Sequence, residues 1–439
     1  MVCLYFLQYF CDDTQMQSSV FWYTQKPPAD RPALTNDYET DVVIVGGGMA
    51  GLTCAQELLT GGKRVVLLEA EFCGSGASGK TSGFITPDSE IELSSLVEQH
   101  GPEKAKRMWE FVLSGVERIR ENIITHHFTC DYAVQDSLFI ANSAHKTKYP
   151  RREHHARQAL DYTSTFYERN TLANIIGSRS YTGAVRYPNT FGINSYLYCQ
   201  ALAAHLITQG AHIFEHSRVQ EINAEGVRTS AGYVRAQQII VCADRFIPDL
   251  GVAKQEIYHV QTFLGITRPL DDAQVRTIFP TDRMMVWDTD LVYNYFRITG
   301  DNRLLIGGGD VLYTYAHSEA VQVDRFARRL EAYMRKKFPT LTLDELEYVW
   351  PGMLGVSKDL LPIMGADPRY GNIWYVGAAT GLPWATALGA YAAERLLHDR
   401  HEYDADFAWQ RTFTIGPRLQ RLLTTPATYA ISHGMTKYL

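Results

Sequence analysis

No stretch of this 439-residue chain reaches the roughly 18–20 consecutive apolar residues that a membrane-spanning helix requires. The opening MVCLYFLQYF is apolar for ten residues only and runs straight into Asp12 and Asp13. It has no basic flank and no small-residue cleavage site, so a standard signal peptide is not expected. Positive charge is not in excess: 42 Lys and Arg against 48 Asp and Glu give −6, which argues against holding nucleic acid on a general basic surface. The seven cysteines (Cys3, Cys11, Cys54, Cys73, Cys130, Cys199, Cys242) are odd in number and contain no CxxC pair. That is neither a disulfide framework nor a zinc ribbon, and it suits a reducing, cytoplasmic setting. HExxH is absent, and the neighbouring pairs His126-His127 and His154-His155 point apart on a helix, so no metal site is expected. GxSxG is absent too, which leaves a serine hydrolase without its nucleophile turn. There is no internal repeat and no low-complexity tract.

What is present is the composition of an ordinary globular protein, 46% hydrophobic and 21% charged, with length enough for two or three domains. Its aromatic stock of 26 Tyr, 19 Phe and 7 Trp serves a core, and it also suits the walls of a pocket that holds a flat ring.

Residues 1–40 read as an arm of extended backbone, punctuated by Pro27, Pro28 and Pro32 and packed on a later domain. Val42 to Val45 form a short apolar run, the mark of a strand buried on both faces. A glycine turn follows, then a helix over 49–59 and a second buried strand over 64–69, which together open a βαβ unit. Ser89 and Glu92 are spaced as a capping box for helices that continue to about 122. Residues 132–141 alternate like a strand, and 146–170 reads as charged surface helix. Helix and strands follow through 193–222, then QIIVCA (238–243) as another buried strand. Strand-like runs over 256–310 end in a hairpin with its turn at Gly300-Asp301-Asn302. A helix over 320–337, a strand over 373–379 and a helix over 383–397 complete the pattern. The fold class expected is α/β: a Rossmann-like domain built from discontinuous segments (41–90, 190–255, 345–400) with a mixed-sheet α+β substrate domain (91–189, 256–344). Residues 401–439 form a tail that is basic after Gln410, with Arg411, Arg418, Arg421 and Lys437 and no acid. Simple packing, or contact with an anionic surface or protein partner, would each use that charge.

The chemistry concentrates at GGGMAG, which supplies Gly46, Gly48 and Gly51 in the GxGxxG pattern. The first permits the tight turn, the second lets a pyrophosphate touch backbone, and the third allows close helix–strand packing. The helix that follows offers free N–H groups and a partial positive charge to the diphosphate. Glu69, ending the second strand, suits both ribose hydroxyls and would repel a 2′-phosphate. Two features point to FAD over NAD. The loop GSGASGKTSG (74–83) is rich in small and hydroxyl residues, as close approach to a second diphosphate contact and a flavin edge requires. Downstream, Thr380-Gly381-Leu382-Pro383 starts a helix whose positive end would face the flavin pyrimidine ring. The same loop also satisfies the P-loop pattern through Gly74, Gly79, Lys80 and Thr81, with Asp244 posing as a magnesium partner. A P-loop needs a helix starting at its lysine, and Ser82-Gly83 and Pro87 oppose one.

On these motifs the chain resembles the glycine oxidase, D-amino-acid oxidase and sarcosine oxidase family of FAD-dependent amine oxidoreductases. The arm-plus-DVVIVGGG start and YFRITGDNRLLIGGG most resemble its gamma-glutamylputrescine oxidase branch. The resemblance implies that Met49 and Ala50 present amides to the diphosphate, that Val219 meets adenine through its backbone, and that Ala243 lines the cofactor. It implies further contacts from Ala70, Ser78, Lys80, Thr81, Ser82 and Gly83, and a flavin flanked by Gly352 to Lys358 and by Gly381 and Leu382. Arg297 matches the strand arginine that receives a substrate carboxylate, and a structural salt bridge is its other reading. Tyr293 and Tyr295 share its face. Three departures from the family stand out. Leu354 occupies the place of a second arginine, which leaves room for a longer or secondary amine; no cysteine lies near Gly352, so FAD is expected to be noncovalent; and the catalytic lysine has only Lys80 and Lys358 as candidates by location. Trp350 and Trp384 suit a pocket wall or core packing equally. The implied reaction oxidises an amine C–N bond: hydride passes to flavin N5, the imine hydrolyses, and oxygen takes the electrons to give hydrogen peroxide. The alternatives are a dehydrogenase serving quinone or a protein acceptor, and a non-catalytic flavoprotein scaffold.

Overall fold

The computed structural model describes residues 16–88, 90–308, 323–343 and 345–413, with 427, 428, 431, 434 and 435 beyond them. Its centre is a parallel sheet. Strand β1 (Tyr38–Val45) lies between β2 (Val65–Leu68) and β12 (Tyr233–Val241), with β9 (His212–Phe214) outside β2 and β19 (Ile373–Gly377) outside β12, all parallel. Val42 and Ile44 face one apolar core and Val43 faces another, so the run is covered on both faces, with Val45 partly buried at its end. That is why these strands are continuously apolar. Antiparallel β10 (Glu221–Asn223), β11 (Gly226–Arg228) and β18 (Ile363–Ala366) extend the sheet.

The second sheet runs in the order β17 (Tyr348–Ser357), β13 (Ile257–Pro269), β16 (Arg303–Gly308), β15 (Tyr295–Ile298), β14 (Met284–Asp288), β5 (Asp136–Ile140), β7 (Gly183–Tyr187), β6 (Thr165–Glu168). Only the β14–β5 pairing is parallel. A small sheet of β3 (Phe84–Ile85), β8 (Phe191–Gly192) and β4 (Ala133–Val134) lies beside it. The helix Val323–Lys337 packs its apolar stripe on the second sheet, with Leu330 and Met334 in the same core as Phe296 and Leu304. The architecture is the α/β class expected. Among the described residues no helix is long and apolar enough to cross a membrane.

Several local expectations need correction. The segment 146–170 is not one helix: Lys148–Ala159 is helical, Thr165–Glu168 then pairs antiparallel with β7, because Thr165, Phe166 and Tyr167 find a strand partner there, and a short helix restarts at Arg169. The capping box fails: the helix begins at Leu93 with Glu92 as a cap residue whose side chain makes no capping bond, and Ser89 lies outside the described residues. The Ser94 N–H goes instead to the Glu153 carboxylate at 2.8 Å. The arm is more than extended backbone. Phe21–Gln25 forms a short helix that buries Phe21 and Trp22, and Tyr38 to Thr40 already belong to β1. Trp22 sits edge-on to Trp350, with centroids 6.2 Å apart, and its Nε1 donates to the Thr81 carbonyl at 2.8 Å. The tail also packs as far as it is described. Phe407 is buried in the main core, and Arg411 forks onto Asp359 while donating to the carbonyls of Leu361 and Pro362. Arg411 is therefore a structural residue; Arg418, Arg421 and Lys437 lie outside the described residues.

The arm's contact generates a stability prediction. Trp22→Ala removes a buried indole and its hydrogen bond, an expected loss of about 3–5 kcal/mol. Thermal unfolding should start several degrees lower, and a transition moved by less than about 1 °C would contradict this packing role.

Candidate active site

The turn between β1 and the helix Met49–Thr60 is built by contact of backbone with backbone. Gly46 has φ +111°, and a Cβ there would lie 2.4 Å from the Cys242 carbonyl oxygen; a Cβ on Gly51 would lie 2.0 Å from that of Gly46. With no side chains in the way, the helix N-terminus opens at the ends of β1 and β12. The Met49 N–H donates to Ser78 Oγ at 3.0 Å, which joins the loop 74–83 to the turn. Beside them the Glu69 carboxylate accepts from the N–H groups of Gly47 (2.7 Å) and Glu71 (3.0 Å). Burial raises its pKa, and those backbone donors oppose the rise.

These groups face one cavity of about 610 Å³, within the range of small-molecule sites. Gly46, Gly48, Met49 and Ala50 line it at the turn; Glu69, Ala70 and Val219 line its nucleoside side, and Ser78, Lys80, Thr81 and Ser82 line it from the loop. Ala243, Gly352, Gly381 and Leu382 complete the set. Two positions do not reach it. Gly51 lies beneath the turn, and Gly83, at φ +70°, is pressed against the Ile193 carbonyl. The helix Leu382–His398 also opens on the cavity, with Gly381 as its cap residue at φ +99°. There the Thr380 hydroxyl is buried without a partner among the described residues. Two helix N-termini and an unsatisfied hydroxyl on one elongated cavity fit a large anionic dinucleotide.

The substrate-side expectations divide. Tyr293 and Tyr295 line the cavity, and the Tyr293 hydroxyl donates to Glu90 at 2.8 Å. Arg297 does not line it. Its side chain is fully buried on the far side of the loop, where Nε donates to the Ser82 carbonyl at 2.9 Å and Nη2 to that of Ile193 at 2.7 Å. Asp131 lies 3.9 Å from Nη1, and burial pulls the guanidinium pKa down to about 10. Strand alternation put Arg297 on the correct face, but the small β3–β8–β4 sheet sits between it and the cavity. Lys358 is also turned away, with its ammonium 5.1 Å from the Phe413 ring centre. Trp384 is a core residue beside Phe111 and Phe407. Trp350 is buried too and donates from Nε1 to the Lys80 carbonyl at 3.1 Å, bracing the loop.

The cavity also draws on residues with no expected cofactor or substrate role: Asp88 and Glu90 after β3, Trp287 at the end of β14, and Asp244. Asp244, the false magnesium partner, accepts from the N–H groups of Gly355 (2.8 Å) and Ala378 (3.1 Å), tying β17 to the end of β19. The P-loop lookalike forms a short 3₁₀ turn over Ala77–Gly79, with no helix at Lys80. No group of three or more metal-ligating side chains occurs among the described residues.

Known proteins agree with this geometry. The FAD dependent oxidoreductase family, DAO, matches residues 41–395. Gamma-glutamylputrescine oxidoreductase of Escherichia coli (strain K12) is 27% identical over 407 residues, which span 89% of this chain and 92% of the relative. Probable oxidoreductase OrdL of Haemophilus influenzae is 26% identical over 382 residues, 84% of this chain and 85% of the relative. Among solved structures, glycine oxidase from Geobacillus kaustophilus has a TM-score of 0.71 at 18% identity, covering 86% of this chain and 100% of that one. With a family match spanning both sheets and a cavity that fits the dinucleotide, this chain is an FAD-dependent oxidoreductase of the DAO family.

Proposed function

We propose that the enzyme oxidises the C–N bond of a small amine or amino acid, with oxygen as final acceptor and hydrogen peroxide as coproduct. The observation that carries this reading is the continuity of the cavity from the glycine turn to a chamber walled by Tyr293, Tyr295 and Trp287. Relatives named for an amine and for glycine support the substrate class. Bound FAD would supply the acceptor for the two electrons that leave the C–N bond.

The chain's own part is binding, orientation and exclusion of water. Ala50 would give its backbone N–H to the diphosphate, with the Met49 N–H shared with Ser78 Oγ beside it, and Glu69 would take the ribose hydroxyls. Gly352, Gly381 and Leu382 would bound the ring system, where the N-terminus of the helix Leu382–His398 favours negative charge. No cysteine lies near Gly352 in the sequence, and noncovalent FAD is therefore part of the proposal. The aromatic chamber, with Leu264, Leu291 and Val292, would hold the substrate's reacting carbon in a dry environment. The described cysteines are all free thiols, which supports a reducing compartment, the cytoplasm.

Anaerobic addition of an amine and amino-acid panel to the FAD-loaded protein should bleach its visible absorption with at least one compound class. Admitting air should restore the colour and release one peroxide per carbonyl product. Colour that stays bleached in air would replace oxygen with another acceptor, and a protein that takes up no FAD would end the reading. Gly46→Val should yield colourless protein, because its Cβ would strike the Cys242 carbonyl. A yellow Gly46→Val protein would contradict the turn's role. Arg297→Lys loses the fork onto Ser82 and Ile193, so it should lower stability by about 2–3 kcal/mol. Its KM should shift less than about threefold, whereas a tenfold KM rise at unchanged stability would return Arg297 to the substrate.

A further inference from the structure

Beyond the loop the cavity ends in a chamber whose walls are largely hydrocarbon. Phe84, Trp287, Tyr293 and Tyr295 line it, with ring centres 6.4 Å apart for Phe84–Trp287, 5.8 Å for Phe84–Tyr295 and 5.6 Å for Tyr293–Tyr295. These pairs are tilted or edge-on, an arrangement that a further flat ring can join. Strands β13 and β17 add aliphatic side chains to the lining: Leu264, and Val260 opposite Leu354 in the antiparallel register. The hydroxyls and carboxylates at this end are already engaged. The Tyr293 hydroxyl donates to Glu90 at 2.8 Å, and the Tyr295 hydroxyl is hydrogen-bonded to Thr262. The Asp88 carboxylate is fully buried; it accepts from Thr86 at 2.6 Å, from Arg157 at 3.3 Å and from the Tyr187 hydroxyl. The cations that line the cavity have other places. Lys80 is on the loop beside Gly352, where the flavin ring would lie, Arg218 adjoins Val219 on the nucleoside side, and Arg245 stacks over Phe246 at 4.2 Å. Arg297 is bound to the carbonyls of Ser82 and Ile193, outside the cavity.

We infer that the substrate is an amine whose non-reacting end is uncharged and apolar, an arylalkyl monoamine fitting best. The inference rests on the amine-oxidation reading of the same cavity. A carboxylate entering the chamber would leave water without a cation to meet it, and a buried charge without a partner is strongly disfavoured. A hydrocarbon end loses nothing by leaving water and gains contact with rings and aliphatic side chains. An aryl end adds edge-to-face contacts with Trp287 and the tyrosines, whose rings are held in place by the hydroxyl bonds to Glu90 and Thr262. Trp287 is the specificity-determining residue of this arrangement: it lines the chamber and is itself packed by Phe139 and Tyr187 behind it. For a primary amine the products are aldehyde, ammonia and hydrogen peroxide. The C–N carbon gives up two electrons, oxygen takes the same two, and water supplies the carbonyl oxygen.

The test is steady-state turnover of the FAD-loaded full chain on phenylalkyl monoamines, n-alkyl monoamines, terminal diamines and ω-amino carboxylates of matched length. Phenylalkyl monoamines should have the highest kcat/KM, at least about tenfold above the diamines and amino carboxylates. Along the n-alkyl series kcat/KM should rise about fourfold per added methylene until the chamber is filled. Trp287→Leu should lower the ratio of phenylalkyl amine to propylamine at least about fivefold, mainly through KM, whereas Trp287→Phe keeps the order of substrates. The visible flavin spectrum of each variant reports that it has folded and loaded. Diamines or amino carboxylates that match the phenylalkyl amines would overturn the inference and leave amine oxidation standing. Turnover of α-amino acids alone would do the same, as would a Trp287→Leu variant that keeps the wild-type ratio. Failure of every amine and amino acid to bleach bound flavin would overturn the functional reading itself.

Discussion

Backbone touches backbone where the helices Met49–Thr60 and Leu382–His398 cross. A Cβ on Gly389 would sit 2.2 Å from the Ala50 carbonyl oxygen, and one on Gly115 would sit 2.1 Å from that of Pro383. With Gly46 and Gly51, these positions strip side chains from the places where two helices and the long helix Pro102–Thr125 meet the central sheet. Two helix N-termini can then open on one cavity, a convergence that like dipoles oppose and that close packing in the surrounding apolar core holds in place. An anionic ligand relieves that opposition. The cavity's polarity thus follows from a packing constraint.

The loop 74–83 is the second element on which the site depends, and it is held from outside by carbonyl contacts. Trp22 donates to the carbonyl of Thr81, Trp350 to that of Lys80, Tyr23 to that of Ser75 and Arg297 to that of Ser82. The four donors come from three separate parts of the chain: Trp22 and Tyr23 from the arm, Trp350 from β17 and Arg297 from β15. The loop's short side chains leave it few apolar contacts of its own, so these bonds set which of its faces lines the cavity. The arm, which looked like an appendage, is part of the scaffold of the site.

Charge is handled in the same spirit. Buried ionic groups are paired or bonded to backbone, as Arg31 is to Glu215 and Arg157 to Glu153 away from the cavity, and Asp244 to two N–H groups at its wall. Glu69, held by the N–H groups of Gly47 and Glu71, and Glu90, bonded to the Tyr293 hydroxyl, both line the cavity.

Local patterns were enough for the parallel strands, the glycine turn, Glu69 and the helix at Gly381, because each rests on neighbouring residues: apolar continuity, φ freedom, a strand end, a helix start. The same reasoning carried the α/β class and most of the cofactor positions that line the cavity. It stopped where a side chain's surroundings come from distant segments. Strand alternation could give Arg297 a face, but only the packing of β3, β8 and β4 decided that this face meets Ser82 and Ile193 and not the cavity. Glu90, Asp88 and Trp287 carry no local signature, and they converge because β3 and the β14–β15 hairpin meet across the chamber. The family's cofactor is therefore written in short-range sequence, since the glycine turn, the helix start and Glu69 lie within one contiguous segment. The character of the substrate chamber is tertiary, since its charge is the sum over residues hundreds of positions apart.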